Sequence, residues 1–154
     1  MQKLFLTFFY TGLSPKTPGT AGSFAALIVG VAILYFLQVS TLFLLAIFAT
    51  IAGVAEINKY EKKTGIHDDK SIVIDEVAGM WLALVIVANT LNIYTIVLSF
   101  LFFRFFDIYK PSFIGRIDRA QKGGWSVMGD DIVAGVAAGF LTAIVYNYCI
   151  IYFI

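Results

Sequence analysis

The sequence predicts an all-α integral membrane bundle: five membrane-embedded helices preceded by a short N-terminal interfacial helix, forming one domain over residues 1–154. Three observations predict it. Hydrophobic residues make up 60% of the chain and charged residues only 14%, far from the composition of a water-soluble domain. The mean hydropathy is +0.87. Residues 17–55, 77–103 and 132–154 carry no charge, and each run is long enough to contain a membrane span.

Residues 1–13 combine a lysine with an apolar stretch. The next residues are Ser14-Pro15-Lys16 rather than a small-residue cleavage site, so the segment is expected to stay in the mature chain as an interfacial helix burying Phe5, Phe8 and Phe9. The run 17–55 is too long for one helix, and Gln38-Val39-Ser40-Thr41 divides it into a hairpin. The run 77–103 fits either one tilted helix or two short ones folded at Asn89-Thr90-Leu91-Asn92, where asparagine favours a turn. The second choice places every charged residue in 1–20, 56–76 or 104–131, all on one side of the bilayer, and leaves the opposite loops uncharged. Lysine and arginine mark that side as cytoplasmic, with the N-terminus inside, five segments crossing and the C-terminus at the far surface. The segments of the second hairpin are short for a full crossing.

The net charge of +1 and the lack of a basic stripe argue against nucleic-acid binding. The single cysteine, Cys149, excludes a disulfide framework and a multi-cysteine metal site within one chain; it is expected as a buried or reduced thiol. The sequence leaves oligomeric state open.

The polar residues form a constellation. Asp75 and Glu76 open an apolar run within Ile72-Val73-Ile74-Asp75-Glu76-Val77-Ala78-Gly79, and Gly129-Asp130-Asp131-Ile132 repeats the arrangement before the last span. Helix-dipole compensation or an N-cap accounts for one acid of each pair, but unpartnered charge at the edge of lipid is costly. Two pairs at one level would hold a magnesium ion by hard oxygen ligands, with Glu56 as a further candidate. Arg104, Asp107 and Lys110 recur at helical spacing until Pro111, which suits either an ion-pair ladder or a phosphate grip. Asp118 and Arg119 come next, in a loop that could engage phosphate or headgroups, while Arg116 is expected to snorkel. Lys16-Thr17-Pro18-Gly19-Thr20-Ala21-Gly22-Ser23 opens the first span with backbone N–H groups that could receive an anion, and His67 is either a solvated or an orienting histidine.

In order along the chain, Pro18-Gly19-Thr20 with Gly22-Ser23, His67-Asp68, Ser71 through Glu76, Gly79-Met80-Trp81, Phe103 through Asp107, Lys110-Pro111, Ile117-Asp118-Arg119, Gly123-Gly124, Met128 and Asp130 through Gly135 carry a family resemblance. The chain resembles phosphatidylglycerophosphatase A. The resemblance implies an all-helical, magnesium-dependent enzyme at the cytoplasmic face of a bacterial inner membrane, removing the terminal phosphate of the membrane phospholipid phosphatidylglycerophosphate to give phosphatidylglycerol. The residues expected at the site are Asp75, Glu76, Arg104, Asp107, Lys110 and Asp131 for catalysis, Asp75, Glu76, Asp130, Asp131 and Glu56 for the metal, and Thr20, Ser23, His67, Asp118 and Arg119 for the substrate. One departure is the segment 122–126, which lacks the histidine expected before Gly123-Gly124 and leaves His67 as the only imidazole.

The chemistry narrows in the same direction. One histidine cannot serve as both nucleophile and general acid, Cys149 has no following arginine, and no Asp-x-Asp pair is present. Metal-assisted attack by water remains. The alternative class, a small transporter or channel subunit, would place charges along the spans rather than at one end.

Overall fold

The computed structural model describes residues 1–67, 69–109 and 123–153. Every regular element among them is helical: α1 (Gln2–Leu6), α2 (Pro18–Phe36), α3 (Val39–Thr64), α4 (Ile74–Ile86), α5 (Ile93–Tyr109) and α6 (Gly124–Phe153), with 3-10 turns at Thr11–Leu13 and Ala88–Thr90. The two hairpin breaks fall where polar residues interrupt the apolar runs. Proline opens α2, Gln38 precedes α3, and Gly65 closes α3 in the left-handed conformation (φ 72°) that glycine adopts without strain. At the second break the Asn92 side-chain oxygen accepts from the backbone N–H groups of Tyr94 and Thr95 at 2.9 and 3.1 Å. Asparagine thus caps the start of α5.

Among the described residues, three helices are long and apolar enough to cross a membrane: Pro18–Phe36, Val39–Thr64 and Gly124–Cys149. α4 has 13 residues and α5 has 17. At 1.5 Å per residue they extend about 20 and about 26 Å, short of the roughly 30 Å hydrocarbon core. α4 is the central helix, in contact with α2, α3, α5 and α6, and its buried residues Ile74, Val77, Ala78, Gly79, Met80, Trp81, Ala83 and Leu84 run around most of its circumference. Its solvent is therefore protein more than lipid, which removes the need for a full span. Trp81 donates its indole N–H to the Ala26 carbonyl of α2 at 2.9 Å, which satisfies the indole's own buried donor.

The N-terminus differs from the interfacial helix expected over 1–13. α1 ends at Leu6, and Phe8, Phe9 and Tyr10 all have positive φ, an uncommon run for residues with side chains. Two threonines fix it. Thr7 Oγ1 donates to Lys3 O (2.7 Å) and accepts from Tyr10 N (3.2 Å), while Thr11 Oγ1 donates to Phe8 O (2.8 Å). The turn buries Phe8 edge-on against Trp81 and leaves Phe9 on the protein surface. Cys149 is a free thiol on the protein surface, near the end of α6.

α4 and α6 cross at backbone contact. A Cβ on Gly135 would strike the carbonyl of Gly79, and one on Gly79 would strike the carbonyl of Asp131. Small residues allow this approach, as in membrane helix pairs generally. Because both clashes are with main chain, neither can be relieved by a rotamer change. Gly135→Val is therefore expected to destabilise the protein by about 1–3 kcal/mol or more, read as a lowered detergent melting temperature; an unchanged melting temperature would mean that the crossing is looser than described.

Candidate active site

The α4–α6 crossing determines what lies beside it. Asp75 and Glu76 sit in the first turn of α4, one turn before Gly79, where the helix dipole favours acids. Asp131 lies one turn before Gly135, so closing the glycine contact carries its carboxylate toward the α4 pair. Single oxygens of Asp75, Glu76 and Asp131 fall within 4.8 Å of one another. Asp130 and Asp131 are both buried. They do not cap their helix: α6 starts at Gly124, so the pair stands about two turns inside it.

α5 supplies the cation. Arg104 and Asp107 form an ion pair one turn apart, each side chain only 14% exposed. Arg104 Nη1 also donates to Ser23 Oγ at 3.2 Å, and the fully buried Ser23 donates to the Gly19 carbonyl at 2.7 Å. The guanidinium is thereby held against the first turn of α2. Gly19 makes that fit possible, since a Cβ there would collide with Glu76 Oε1 and lie 3.4 Å from Arg104 Nη1. Backbone N–H groups of this turn, ahead of the first helical bond from Ala21 N to Thr17 O (3.0 Å), have no partner within the helix.

These side chains line one cavity of about 270 Å³ at the end of the bundle, formed by Pro18, Gly19, Asp75, Glu76, Arg104, Asp107, Asp130 and Asp131, together with Asp69, Lys70, Ile72, Ile108 and Val127. Among the described residues it holds six carboxylates against two cationic side chains. Asp75, Glu76 and Asp131 form no ion pair among the described residues. Asp75 Oδ1, Glu76 Oε2 and Arg104 Nε are buried without a hydrogen-bond partner. Hard oxygen atoms with spare lone pairs, spaced to share one ion at about 2.0–2.6 Å each, fit a divalent cation of the magnesium or calcium type.

Other candidates from the sequence stand elsewhere. Glu56 does not join the cluster: α3 continues past it to Thr64, and its carboxylate pairs with Lys59 Nζ at 2.6 Å and accepts from Gln2 Nε2 at 3.0 Å. His67 is exposed and pairs through Nδ1 with Glu61 at 2.6 Å, outside the cavity lining. Thr20 is half-buried and does not line the cavity, and Ser23 reaches it only through Arg104. Lys110, Asp118 and Arg119 lie outside the described residues.

Sequence pattern assigns Asp69 and Lys70 no role, yet both line the cavity. Asp69 is fixed by three donors: the Tyr60 hydroxyl at 2.6 Å, Ser71 N at 2.9 Å and Ser71 Oγ at 2.8 Å. The Tyr60 hydroxyl, followed by Ser71, holds its carboxyl below the ordinary carboxylate range. The only sequence signal is position, a polar residue shortly before the Asp75-Glu76 pair.

Buried oxygen donors beside a fixed guanidinium, at the rim of a membrane bundle, are what a membrane-embedded phosphatase requires. The family model for phosphatidylglycerophosphatase A matches residues 4–146, and the chain belongs to that family. It is 38% identical over 141 residues to phosphatidylglycerophosphatase A of Escherichia coli K12, covering 91% of this chain and 81% of the relative. To phosphatidylglycerophosphatase A of Haemophilus influenzae it is 35% identical over 130 residues, covering 84% and 79%. A Bacteroides thetaiotaomicron protein provisionally named a phosphatidylinositol-3-phosphatase is 40% identical over 144 residues, covering 90% and 89%. No solved structure matches the chain at a significant level. The protein is a phosphatase of the membrane.

The Asp69 network yields a prediction about pH. Because the folded-state pKa of Asp69 is depressed, its contribution to stability is present above the ordinary value of 3.8 and is lost as the pH falls through the folded pKa. Tyr60→Phe removes the leading donor and should cost about 1 kcal/mol at neutral pH, a modest figure because the carboxylate is partly solvated. Melting temperatures of the two proteins should differ steadily from pH 7 to about pH 5 and converge below about pH 4. A gap independent of pH would remove Asp69 ionisation from the account.

Proposed function

We propose that this protein is a magnesium-dependent phosphatidylglycerophosphatase, cleaving the terminal phosphate monoester of phosphatidylglycerophosphate at the cytoplasmic face of a bacterial inner membrane. The observation that carries the proposal is the cluster of Asp75, Glu76 and Asp131, whose oxygens converge within 4.8 Å beside Arg104 with two of them buried and unpartnered. The cytoplasmic assignment rests on the charge pattern, in which lysines and arginines share the three sequence segments that carry the acids.

Asp75, Glu76 and Asp131 would hold the ion, with Asp130 beside them in the cavity wall. When bound, magnesium supplies Lewis acidity toward the phosphoryl oxygens and acidifies water. Arg104, immobilised by Asp107 and Ser23, offsets the negative charge on the phosphoryl group without having to reorganise. The N–H groups at the start of α2 present the positive end of a helix dipole to the same cavity. Water attacks phosphorus and the bond to the glycerol oxygen breaks, while a cavity carboxylate takes the water's proton and passes it to the departing oxygen. Lys110 is proposed as a second cation for the phosphate. The B. thetaiotaomicron relative's name favours a second reading, in which the lipid is a phosphoinositide.

Phosphate release by the purified protein in neutral detergent separates these readings. Phosphatidylglycerophosphate should be hydrolysed with magnesium and not after chelation, and faster than phosphatidylinositol 3-phosphate. Asp131→Asn should lower turnover by at least about 100-fold while the protein remains folded. Full activity without divalent ions, or in this variant, would remove the cluster from the chemistry; a preference for the phosphoinositide would select the second reading.

A further inference from the structure

A second cavity of about 360 Å³ adjoins the first, sharing Asp69 and Ile72 as a common wall. It lies between α1 and the end of α3, and its polar lining includes Lys3, Tyr60, Lys63 and Ser71. Its walls are tied together. The Gln2 amide bridges to the carbonyl and carboxylate of Glu56 at 3.1 and 3.0 Å, Val73 N donates to Leu6 O at 2.9 Å, and Tyr60 fastens the Asp69 partition to α3.

The acids around this cavity are already engaged: Glu56 by Lys59 and Gln2, Glu61 by His67, Asp69 by Tyr60 and Ser71. Lys3 and Lys63, both exposed at the cavity mouth, form no ion pair among the described residues, although the Lys3 charge acts at longer range on Asp69. The cavity therefore offers two ammonium groups beside a site that we read as taking a terminal phosphate. Phosphatidylglycerophosphate carries a second phosphate, a diester one glycerol unit away from the monoester that is cleaved. Phosphatidylinositol 3-phosphate also pairs a monoester with an internal diester. Phosphatidate has the monoester alone.

We propose that the second cavity is a specificity subsite in which Lys3 and Lys63 receive the internal phosphodiester of the substrate while its terminal phosphate lies among Asp75, Glu76 and Asp131. The proposal rests on the phosphatase reading of the first cavity. A diester keeps a single negative charge at any physiological pH, and a compact ammonium on a flexible stem suits such a point charge. The Asp69 partition then positions the two phosphates relative to each other, with Tyr60 as a positioning residue.

The test compares the wild type, Lys3→Met/Lys63→Met and Lys3→Arg/Lys63→Arg in neutral detergent, so that no other anionic lipid supplies a diester. The Met variant should lower the ratio of kcat/KM for phosphatidylglycerophosphate over phosphatidate about tenfold, mainly through KM, and the Arg variant should restore most of it. The wild-type ratio should fall with added salt more steeply than that of the Met variant. Binding of phosphatidylglycerol, which keeps the diester but lacks the monoester, should weaken in the Met variant about tenfold as well. This binding arm needs no turnover, so it decides the subsite even if the phosphatase reading fails, whereas phosphate release by the wild type decides that reading alone. An unchanged substrate ratio together with unchanged phosphatidylglycerol binding would overturn the proposal. An equal loss on both lipids would also overturn it, by showing a general attraction to anionic lipid.

Discussion

Three carboxylates, from Asp75, Glu76 and Asp131, are confined together where water is scarce, and much of the rest of the structure depends on that confinement. Acids so placed repel one another and lose hydration, so the arrangement persists only if protons or a cation compensate them. Arg104 cannot provide all of that compensation, because its nearest acid is Asp107 and its other fixed contact is Ser23. Two buried oxygens without partners mark where the remaining compensation must act. A hard divalent ion bound there would satisfy the oxygens, and its positive charge together with that of Arg104 would then favour an anionic phosphate.

The packing around the cluster supplies the geometry. α4 is short and central, and is held by four neighbours; its first turn can therefore carry two acids without facing lipid. The Gly79–Gly135 contact sets the distance between the acid-bearing helices, and Gly19 lets the start of α2 approach Glu76 and Arg104. The missing side chains at these glycines thus act on the chemistry through distance. The same end of the bundle gathers Lys3, Lys63, Tyr60 and the Asp69 turn around a second polar cavity that shares a wall with the first.

The all-helical membrane class and the two hairpin breaks were legible because charge is costly in lipid and because asparagine has a local capping use, as at Asn92. The acids at Asp75-Glu76 stood out for the same reason, against long apolar runs. The start of α6 was not legible: the sequence placed Gly129-Asp130-Asp131 ahead of the last span, yet the helix begins at Gly124, where a Cβ would lie 2.5 Å from the Val54 carbonyl. Glu56 and His67 were plausible ligands by residue type alone. Both found local partners, Lys59 and Glu61, within a turn or two of chain, and sequence spacing does not reveal which way a long side chain turns. The left-handed run at Phe8–Tyr10 depends on hydrogen bonds from Thr7 and Thr11 that no hydrophobic pattern announces.

If compensation of the cluster comes from a divalent ion rather than from protons, that ion can be observed without any substrate. Electron paramagnetic resonance of manganese added to the purified protein in neutral detergent measures this directly. The account predicts saturable manganese binding that magnesium displaces, weakened by at least about tenfold in Asp75→Asn and in Asp131→Asn. Binding no stronger than that of detergent alone, or equal binding by wild type and both variants, would contradict it and leave the three acids as a protonated cluster.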